Sequence, residues 1–361
     1  MMGVACDGGG SPESGSGAGG LTGAAVGGTE GGSTSGPSAT TTSASGGVTT
    51  AEPGSSSEGP VGSTGEGGSS SESGDDGFMG TTSGVDPVVK CQAVDFMFVI
   101  DNSISMGPEQ EALVGAFPGF METIQTELEA GSDYHVMVLD TDAWGRCDTG
   151  NEPPWQGSDP DHNTCDAYIT TTAFEECDRI RGAGVVHPAG GESSNMLCTP
   201  SSGGRYIDAT EPDLPSMFEC MATVGLAGHP SERPMNAIQE ALLPGGEAEP
   251  CNEGFLRDDA LLVITFISDD SGTPDQGTPM DWYDSVVAAK GGDPTGVVVL
   301  GLGPADPACG GVNGLHWLSF VELWGDHGIH GPVCGTADDY VQFFQDSVSV
   351  IDQACEEFVP G

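Results

Sequence analysis

Carboxylates and hydroxyls follow three short apolar segments of the chain. The aspartates are Asp101 after the first segment, Asp140 and Asp142 after the second, and Asp269 and Asp270 after the third. Two serines, Ser103 and Ser105, follow the first aspartate at alternate positions. Converging carboxylates repel one another unless a cation lies among them, and hard oxygen ligands select Mg²⁺, Ca²⁺ or Mn²⁺. If the three segments end at one place in the fold, the sequence predicts a divalent-cation site there.

The segments that precede these aspartates are typical of strands buried on both faces. Residues 94–100, 135–139, 260–267 and 296–302 are short runs that are apolar almost throughout. Helical patterns alternate with them, at residues 107–128, 214–224, 233–243, 282–289, 315–324 and 338–358. This alternation predicts an α/β domain with a doubly wound, mostly parallel sheet flanked by helices. Ligands of such sheets bind outside the carboxyl ends of the strands, where the aspartates lie.

Pro118 lies inside the first helical pattern and should kink or split that helix. The region from about 143 to 204 shows little periodicity, many turn-forming residues and four cysteines. We therefore expect an irregular insertion that disulfides hold in place.

The first aspartate lies in a segment with a more specific pattern. Residues 98–106, FVIDNSISM, resemble the metal-ion-dependent adhesion site of von Willebrand factor A-type domains, in the version carried by bacterial surface lipoproteins. The resemblance covers residues 93–358 apart from the insertion and implies a Rossmann-like fold with a bound cation, Mg²⁺ in the first place and Ca²⁺ or Mn²⁺ as alternatives. It implies that Ser103 and Ser105 contact the metal directly. It also implies that Asp101 holds the metal through hydrogen bonds or water, and that Asp269 is the family's later aspartate.

One position departs from the family pattern. The family supplies a threonine just before a helix as a third direct ligand, and Glu232 stands there in this chain, beside Ser231. Coordination by Glu232 would add a negative charge and make the metal a poorer Lewis acid toward a partner's carboxylate, in a tightly held and partly structural role. Coordination by Ser231 would keep the adhesive mode, and both alternatives stay open. We expect Asp140 and Asp142 to be neighbours of the metal or solvated, not ligands, and Asp270 to be a further candidate neighbour.

The resemblance implies a non-enzymatic binding or adhesion protein that grips a protein or carbohydrate partner through an open position on the metal. A structural surface protein whose metal only stabilises the fold is the alternative. A more remote alternative is a phosphatase of the haloacid-dehalogenase type, with Asp140 as nucleophile and Asp142 as proton donor. That family also needs a lysine before its final acidic pair, and none lies between Asp142 and Asp269.

Simpler explanations remain for individual features. The serines could cap the helix that follows them, and Asp269 with Asp270 could form a solvated turn. Residues 159–163 begin like a calcium loop, but Gly at the sixth and Glu at the twelfth position are missing, which favours an exposed loop. His327 and His330 are a pair without further ligands, so a zinc site is not expected.

The charge of the chain excludes some classes of partner. It contains 55 acidic and 8 basic side chains, for a formal net charge of −47. Such a surface repels nucleic acids and anionic membranes. No apolar run approaches the roughly 20 residues that a membrane-spanning helix needs. Attachment to a membrane would therefore have to be covalent.

The N-terminal part provides a candidate for that attachment. Cys6 follows Gly3, Val4 and Ala5, small residues that resemble the cleavage site of bacterial lipoprotein signal peptides. We expect residues 1–6 to be the remnant of a signal with its lipobox, and Cys6 to be lipidated, which places the protein outside the cytoplasm on the bacterial cell envelope. Residues 7–84 are dominated by Gly, Ser and Thr and are predicted to be a disordered linker. The folded domain is expected at residues 85–361.

Cysteine use also points to an oxidising compartment. Ten of the 11 cysteines, all except Cys6, lie in the predicted domain, and none of them forms a Cys-x-x-Cys pair. This pattern favours up to five disulfides over a zinc ribbon. One pair should tie the two ends of the domain together, and the others should join neighbours in the sequence. The expected pairs are Cys91 with Cys355, Cys309 with Cys334, Cys220 with Cys251, Cys147 with Cys165, and Cys177 with Cys198.

Overall fold

The computed structural model describes residues 92–127, 133–142, 175–228, 232–269, 275–310 and 313–359. The strands are β1 (Val94–Ile100), β2 (Tyr134–Asp140), β3 (Ile207–Asp208), β4 (Leu261–Ile267), β5 (Val297–Gly303) and β6 (Gly328–Pro332). The α-helices are α1 (Gly107–Glu127), α2 (Leu214–Ala222), α3 (Pro234–Leu242), α4 (Pro279–Ala289), α5 (Leu315–Glu322) and α6 (Ala337–Glu357). The predicted signal remnant, the predicted linker and the first part of the predicted insertion lie outside the described residues.

The strands form one six-stranded sheet in the order β3-β2-β1-β4-β5-β6. All neighbouring pairs are parallel except β3, which runs antiparallel to β2 at one edge. The predicted α/β class with a doubly wound, mostly parallel sheet is therefore confirmed. β1 is central, and its last residue, Ile100, is in register with Asp140 of β2 and with Ile267 of β4. The segments that follow these three strands consequently emerge side by side.

Helices cover both faces of the sheet, which explains why the central strands are apolar throughout. On one face, Phe96 and Phe98 of β1 pack in a core with residues of α1, α2 and α6. On the other face, Met97 and Val99 pack in a core with residues of α3, α4 and α5. Successive side chains of a strand point to opposite faces, so each central strand contributes to both cores.

Two strands have no counterpart in the sequence prediction. β3 is only two residues long, too short to show a pattern. β6 has the sequence GIHGP and is mostly half-buried, so it lacks the apolar run of a fully buried strand.

α1 runs through Pro118 without being split. Pro118 is exposed, on a side where water can reach the carbonyl that lacks its amide donor.

The disulfides correct two of the predicted pairs. Cys309–Cys334 is present as predicted. The predictions Cys177–Cys198 and Cys220–Cys251 are wrong, because the bonds are Cys177–Cys251 and Cys198–Cys220. Folding brings the short 3-10 turn Glu176–Arg179 beside the turn Glu249–Cys251, so nearness along the sequence did not decide the pairing.

The remaining cysteine pairs involve residues outside the described part. Cys355 is disulfide-bonded, and its partner lies outside that part, so the pairing with Cys91 stays a prediction. Cys147 and Cys165 both lie outside it as well. Within residues 92–359, none of the helices that the structure describes combines the length and the apolarity needed to cross a membrane.

Candidate metal centre

Asp101 lies at the carboxyl end of β1, and hydrogen bonds fix both its backbone and its carboxylate. Its backbone amide donates to the carbonyl of Ile267 on β4 at 3.0 Å. One carboxylate oxygen accepts from the backbone amide of Ser103 at 2.7 Å, and the other accepts from the hydroxyl of Ser268 at 2.7 Å. The Gln110 side chain donates to the Asp101 carbonyl at 2.8 Å. The carboxylate is completely buried and fixed in one orientation.

Ser105 of the motif contacts Asp269, which follows β4, and Ser103 lies next to Ser105. The hydroxyl of Ser105 donates to Oδ1 of Asp269 at 3.0 Å, although the two residues are 164 positions apart in the sequence. The hydroxyl oxygens of Ser103 and Ser105 are 3.2 Å apart. A tight turn aims both hydroxyls in this direction, and a hydrogen bond of 3.2 Å from the Met106 amide to the Ser103 carbonyl closes it. The structure thus brings together Asp101, Ser103, Ser105 and Asp269.

Burial and neighbouring negative charge raise the pKa of two carboxyl groups at this edge of the sheet. Burial, with a smaller contribution from the nearby charge of Asp269, raises the pKa of Asp101 from its ordinary value of 3.8 to about 7, against the lowering effect of the bonds from Ser103 and Ser268. Glu109, in the first turn of α1, also has a raised pKa through burial and the charge of Asp269. A cation among these groups would favour their ionised forms.

The end of β2 lies on the other side of Asp101. Asp140 and Asp142 are both buried there, and the buried hydroxyl oxygen of Thr141 has no hydrogen-bond partner among the described residues. The amide of Arg233 donates to the Thr141 carbonyl at 3.1 Å, which places the segment with Glu232 against this strand end. Glu232 is only 3% exposed.

Two predicted site residues lie outside the described part, namely Ser231 and Asp270. The choice between Ser231 and Glu232 as the third ligand therefore stays open. Asp140 and Asp142 lie at the end of β2, next to β1 in the sheet, and their place as neighbours of a metal stays a prediction.

The donor set fits a hard cation. Two serine hydroxyls and the Asp269 carboxylate are oxygen donors of the kind that Mg²⁺, Ca²⁺ and Mn²⁺ bind, and the buried Asp101 carboxylate stands behind them. Within the part of the chain that the structure describes, no three His, Cys, Asp or Glu side chains form a group that could hold a metal. A cation at this site would therefore depend on the hydroxyls of Ser103 and Ser105.

Some residues that shape the site were missed by sequence reasoning. Ser268 and Gln110 bind Asp101 but carry no motif of their own. Gly228 donates its amide to the Asn102 carbonyl at 2.8 Å, and a Cβ at Gly228 would lie 2.1 Å from Oδ1 of Asn102. A side chain at position 228 would therefore force the buried Asn102 side chain or the loop to move.

Of the two histidines weighed as a zinc pair, His330 lies on β6 in register with Gly301 of β5. His327 lies within hydrogen-bond distance of the Val297 carbonyl and of Glu357.

Lys290 is the lysine of the predicted domain that is closest in sequence to Asp269 and Asp270, the final acidic pair of the phosphatase alternative. It donates to the carbonyls of Arg257 and Ala260 at 2.7 Å. These carbonyls precede β4, at the end of the sheet opposite to the aspartates.

Comparisons with known proteins assign no family. No family model matches the chain, and no curated protein matches it. Among solved structures, two crystal structures of proximal thread matrix protein 1 from the mussel byssus are similar. The first has 10% sequence identity and a TM-score of 0.34, and the aligned region covers 73% of this chain and 49% of the mussel protein chain. The other has 11% identity and a TM-score of 0.35 and covers 73% and 48%. The chain spans about half the length of these proteins, and similarity at this level carries no argument about its function.

Proposed function

We propose that the protein is a non-enzymatic binding or adhesion protein that depends on a divalent cation, with a von Willebrand factor A-type domain displayed on the bacterial cell envelope. The observation that carries the proposal is the meeting of Ser105 with Asp269 across 164 positions, directly beside Ser103 and the buried Asp101. Oxygen donors from two distant segments thereby share one place at the carboxyl edge of the sheet, where α/β domains bind their ligands.

Each residue has a distinct part in the proposed mechanism. The hydroxyls of Ser103 and Ser105 and the carboxylate of Asp269 would hold the cation. Asp101 would balance its charge from behind, because Ser103 and Ser268 fix the carboxylate in place. When bound, the cation supplies a Lewis-acid centre for an oxygen of the partner.

The net charge of −47 constrains how a partner is reached. An acidic partner is repelled at long range, but salt screens that repulsion beyond about 8–10 Å. A carboxylate that comes close would gain the attraction of the cation. Basic proteins and carbohydrates suit the same surface, and a nucleic acid does not.

The proposed location rests on the cysteines. The three bonds Cys177–Cys251, Cys198–Cys220 and Cys309–Cys334 are typical of proteins that fold in an oxidising compartment. Lipidation of Cys6 would provide the attachment to a membrane, with residues 7–84 as the spacer. Both features lie outside the described residues and are part of the proposal.

Glu232 favours a second candidate function, in which the metal only stabilises the fold. Glu232 is buried, and the adjacent Arg233 amide is hydrogen-bonded to Thr141 at the end of β2; if the Glu232 carboxylate coordinated the cation, it would neutralise part of the cation's charge. The cation would then bind tightly but attract a partner's carboxylate only weakly.

Thermal unfolding of the full chain with EDTA, Mg²⁺, Ca²⁺ or Mn²⁺ tests both functions. A ligand that binds only the native state must raise Tm, so we expect at least Mg²⁺ to raise it. Asp101→Asn should abolish the rise, whereas Asp352→Asn, on the exposed side of α6, should keep it. If none of the three cations raises the Tm of the unaltered chain, both metal-dependent functions are wrong.

Glu232→Thr separates the two functions. If the metal serves adhesion, acetate should already bind to the unaltered, Mg²⁺-loaded chain. If the metal is structural, acetate should bind only to the Glu232→Thr variant, and Mg²⁺ should raise the Tm of that variant less than that of the unaltered chain.

A further inference from the structure

A cavity of about 580 Å³ lies between the ends of two helices and the loop that precedes β4. The helix ends are those of α3 and α4, and the loop comprises residues 249–256. Because this loop precedes β4 and the candidate metal centre follows it, the cavity and the metal centre lie towards opposite ends of the sheet. The volume falls within the range of about 300–1,000 Å³ that is usual for sites that bind small molecules.

Most of the side chains that line the cavity are apolar. Leu243 lies just after α3, and the loop contributes Phe255 and Leu256. Leu243 is 56% exposed, so part of this apolar wall faces water in the free protein. The end of α4 contributes only the small side chains of Ala288 and Ala289. A ligand with an apolar body would remove this surface from water, which favours binding.

The loop side of the cavity is held in place by the fold. Cys251 is joined to Cys177 by a disulfide. The neighbouring Asn252 is buried, and its side chain donates to the carbonyl of Gly182 at 2.7 Å. The amide of Phe255 donates to the carbonyl of Asn252 at 3.0 Å. The cavity is therefore already formed in the folded chain, and a ligand loses little affinity to the ordering of its walls.

The polar groups around the cavity give it negative charge. Glu249 and Glu253 belong to its lining, and none of the described residues that line it is basic. The carboxyl ends of α3 and α4 also lie there, and a helix carries partial negative charge at that end. Lys290 follows α4, but its ammonium donates to the carbonyls of Arg257 and Ala260. These surroundings favour a positively charged group.

We propose that this cavity binds a small organic cation, namely a protonated amine on an aliphatic or aromatic body. The apolar wall covers the body, and the carboxylates of Glu249 and Glu253 attract the ammonium group. An anion of the same shape is repelled by these carboxylates and by both helix ends. The net charge of −47 also draws cations to the protein at long range. This proposal is independent of the proposed function, because the metal centre has no part in it.

Three ligands of similar shape test the proposal on the full chain in the presence of Mg²⁺. They are phenethylammonium, the neutral 2-phenylethanol and the anionic 3-phenylpropanoate, each titrated while the methyl resonances of the protein are followed by NMR. We expect the ammonium to bind about fivefold or more tightly than the alcohol, because it gains the attraction of the carboxylates. The anion should bind more weakly than either. The methyl groups of Leu243 and Leu256 should show the largest shifts.

Two variants separate the charge from the apolar wall. Glu253→Gln should weaken the binding of phenethylammonium about threefold and leave that of 2-phenylethanol unchanged. Glu249 is less suitable, because its carboxylate also accepts from the amide of Gly245 at 2.9 Å. Leu243→Ser should weaken the binding of both ligands. The matched controls are Asp352→Asn and Val341→Ser, at exposed residues of α6, and they should change neither affinity.

The other outcomes overturn the proposal. If the ammonium and the alcohol bind equally, or if Glu253→Gln leaves their ratio unchanged, the cavity does not select a cation. If Asp352→Asn weakens the binding of the ammonium as much as Glu253→Gln does, the preference comes from the overall charge of the chain. If no ligand shifts the methyl resonances of Leu243 and Leu256, the cavity is not a binding site for this class of molecule.

Discussion

The hydroxyl of Ser268 donates to Oδ2 of Asp101 at 2.7 Å, and both residues are fully buried. Asp101 follows β1 and Ser268 follows β4, whose final residues are in register. This bond joins the first predicted site segment to the second one, immediately behind the serines and Asp269. It also stabilises the ionised form of Asp101 in surroundings that otherwise raise its pKa.

Replacing Ser268 with alanine should therefore weaken both the fold and the site. Loss of a hydrogen bond to a charged group costs about 1.5–3 kcal/mol, which urea unfolding in EDTA can measure. The midpoint of a Mg²⁺ titration followed by Tm should also move to higher concentration, because Asp101 loses a bond that favours its ionised form. Ser349→Ala, at an exposed hydroxyl on α6, should change neither quantity. An unchanged Mg²⁺ midpoint in Ser268→Ala would contradict the place of Asp101 in the site.

Asp275 should give the stability a characteristic dependence on pH. Its carboxylate accepts from the Trp317 indole at 2.8 Å and from the Asn236 amide at 3.1 Å. Burial nevertheless raises its pKa from 3.8 to about 6. Between these two pH values the native state binds more protons than the unfolded chain, so this group lowers the stability as the pH rises from about 4 to 6.

The variant Asp275→Asn cannot ionise and should lack that contribution. Asparagine has one acceptor oxygen fewer, so the variant also loses some stability, by an amount that does not depend on pH. The difference in Tm, variant minus unaltered chain, should therefore increase as the pH rises from 4 to 6 and stay level above pH 6. Asp352→Asn provides the control at an exposed carboxylate. A difference that is constant over the whole range would show that Asp275 titrates normally.

The parts of the fold that were predictable are those whose sequence pattern reflects their burial. β1, β2, β4 and β5 are buried on both faces, so their apolar runs are visible in the sequence, and the helices between them have one apolar face each. β3 and β6 lie at the edges of the sheet, are short or rich in glycine, and are only partly buried. Edge strands of this kind leave no comparable pattern.

Sequence analysis identified the candidate site residues that belong to a motif. It did not identify residues that reach the site only because two strands are neighbours in the fold. The resemblance to the metal-ion-dependent adhesion site pointed to Ser103, Ser105 and Asp269, and the position of Asp269 after an apolar run supported its choice. Ser268 is important because β1 and β4 are neighbours in register, which the sequence does not show. The same reason explains the wrong disulfides, since Cys177 meets Cys251 across 74 positions although Cys198 is much closer in the sequence.

Adding a side chain at Gly228 should destabilise the loop that contacts Asn102. A Cβ there would lie 2.1 Å from Oδ1 of Asn102, the residue between Asp101 and Ser103. Gly228→Ala must therefore displace Asn102 or the loop, at a cost of about 1–3 kcal/mol for a clash of this kind. We also expect the rise of Tm with Mg²⁺ to be smaller than in the unaltered chain. Gly115→Ala is the matched control, because its Cβ meets nothing within 4 Å and alanine favours α1.

The disulfide Cys177–Cys251 should stabilise the fold more than Cys309–Cys334 does. It closes a separation of 74 residues, against 25 for the second bond, and the entropy that a cross-link removes from the unfolded chain grows with the length of the loop. Cys198–Cys220 lies within the longer loop and shortens it by its own span of 22 residues. Replacing each pair by two serines should therefore give losses that differ by about 0.5–1 kcal/mol. Urea unfolding of the two variants measures this difference, and an equal or reversed order would show that local contacts of the exposed Cys334 turn outweigh loop entropy.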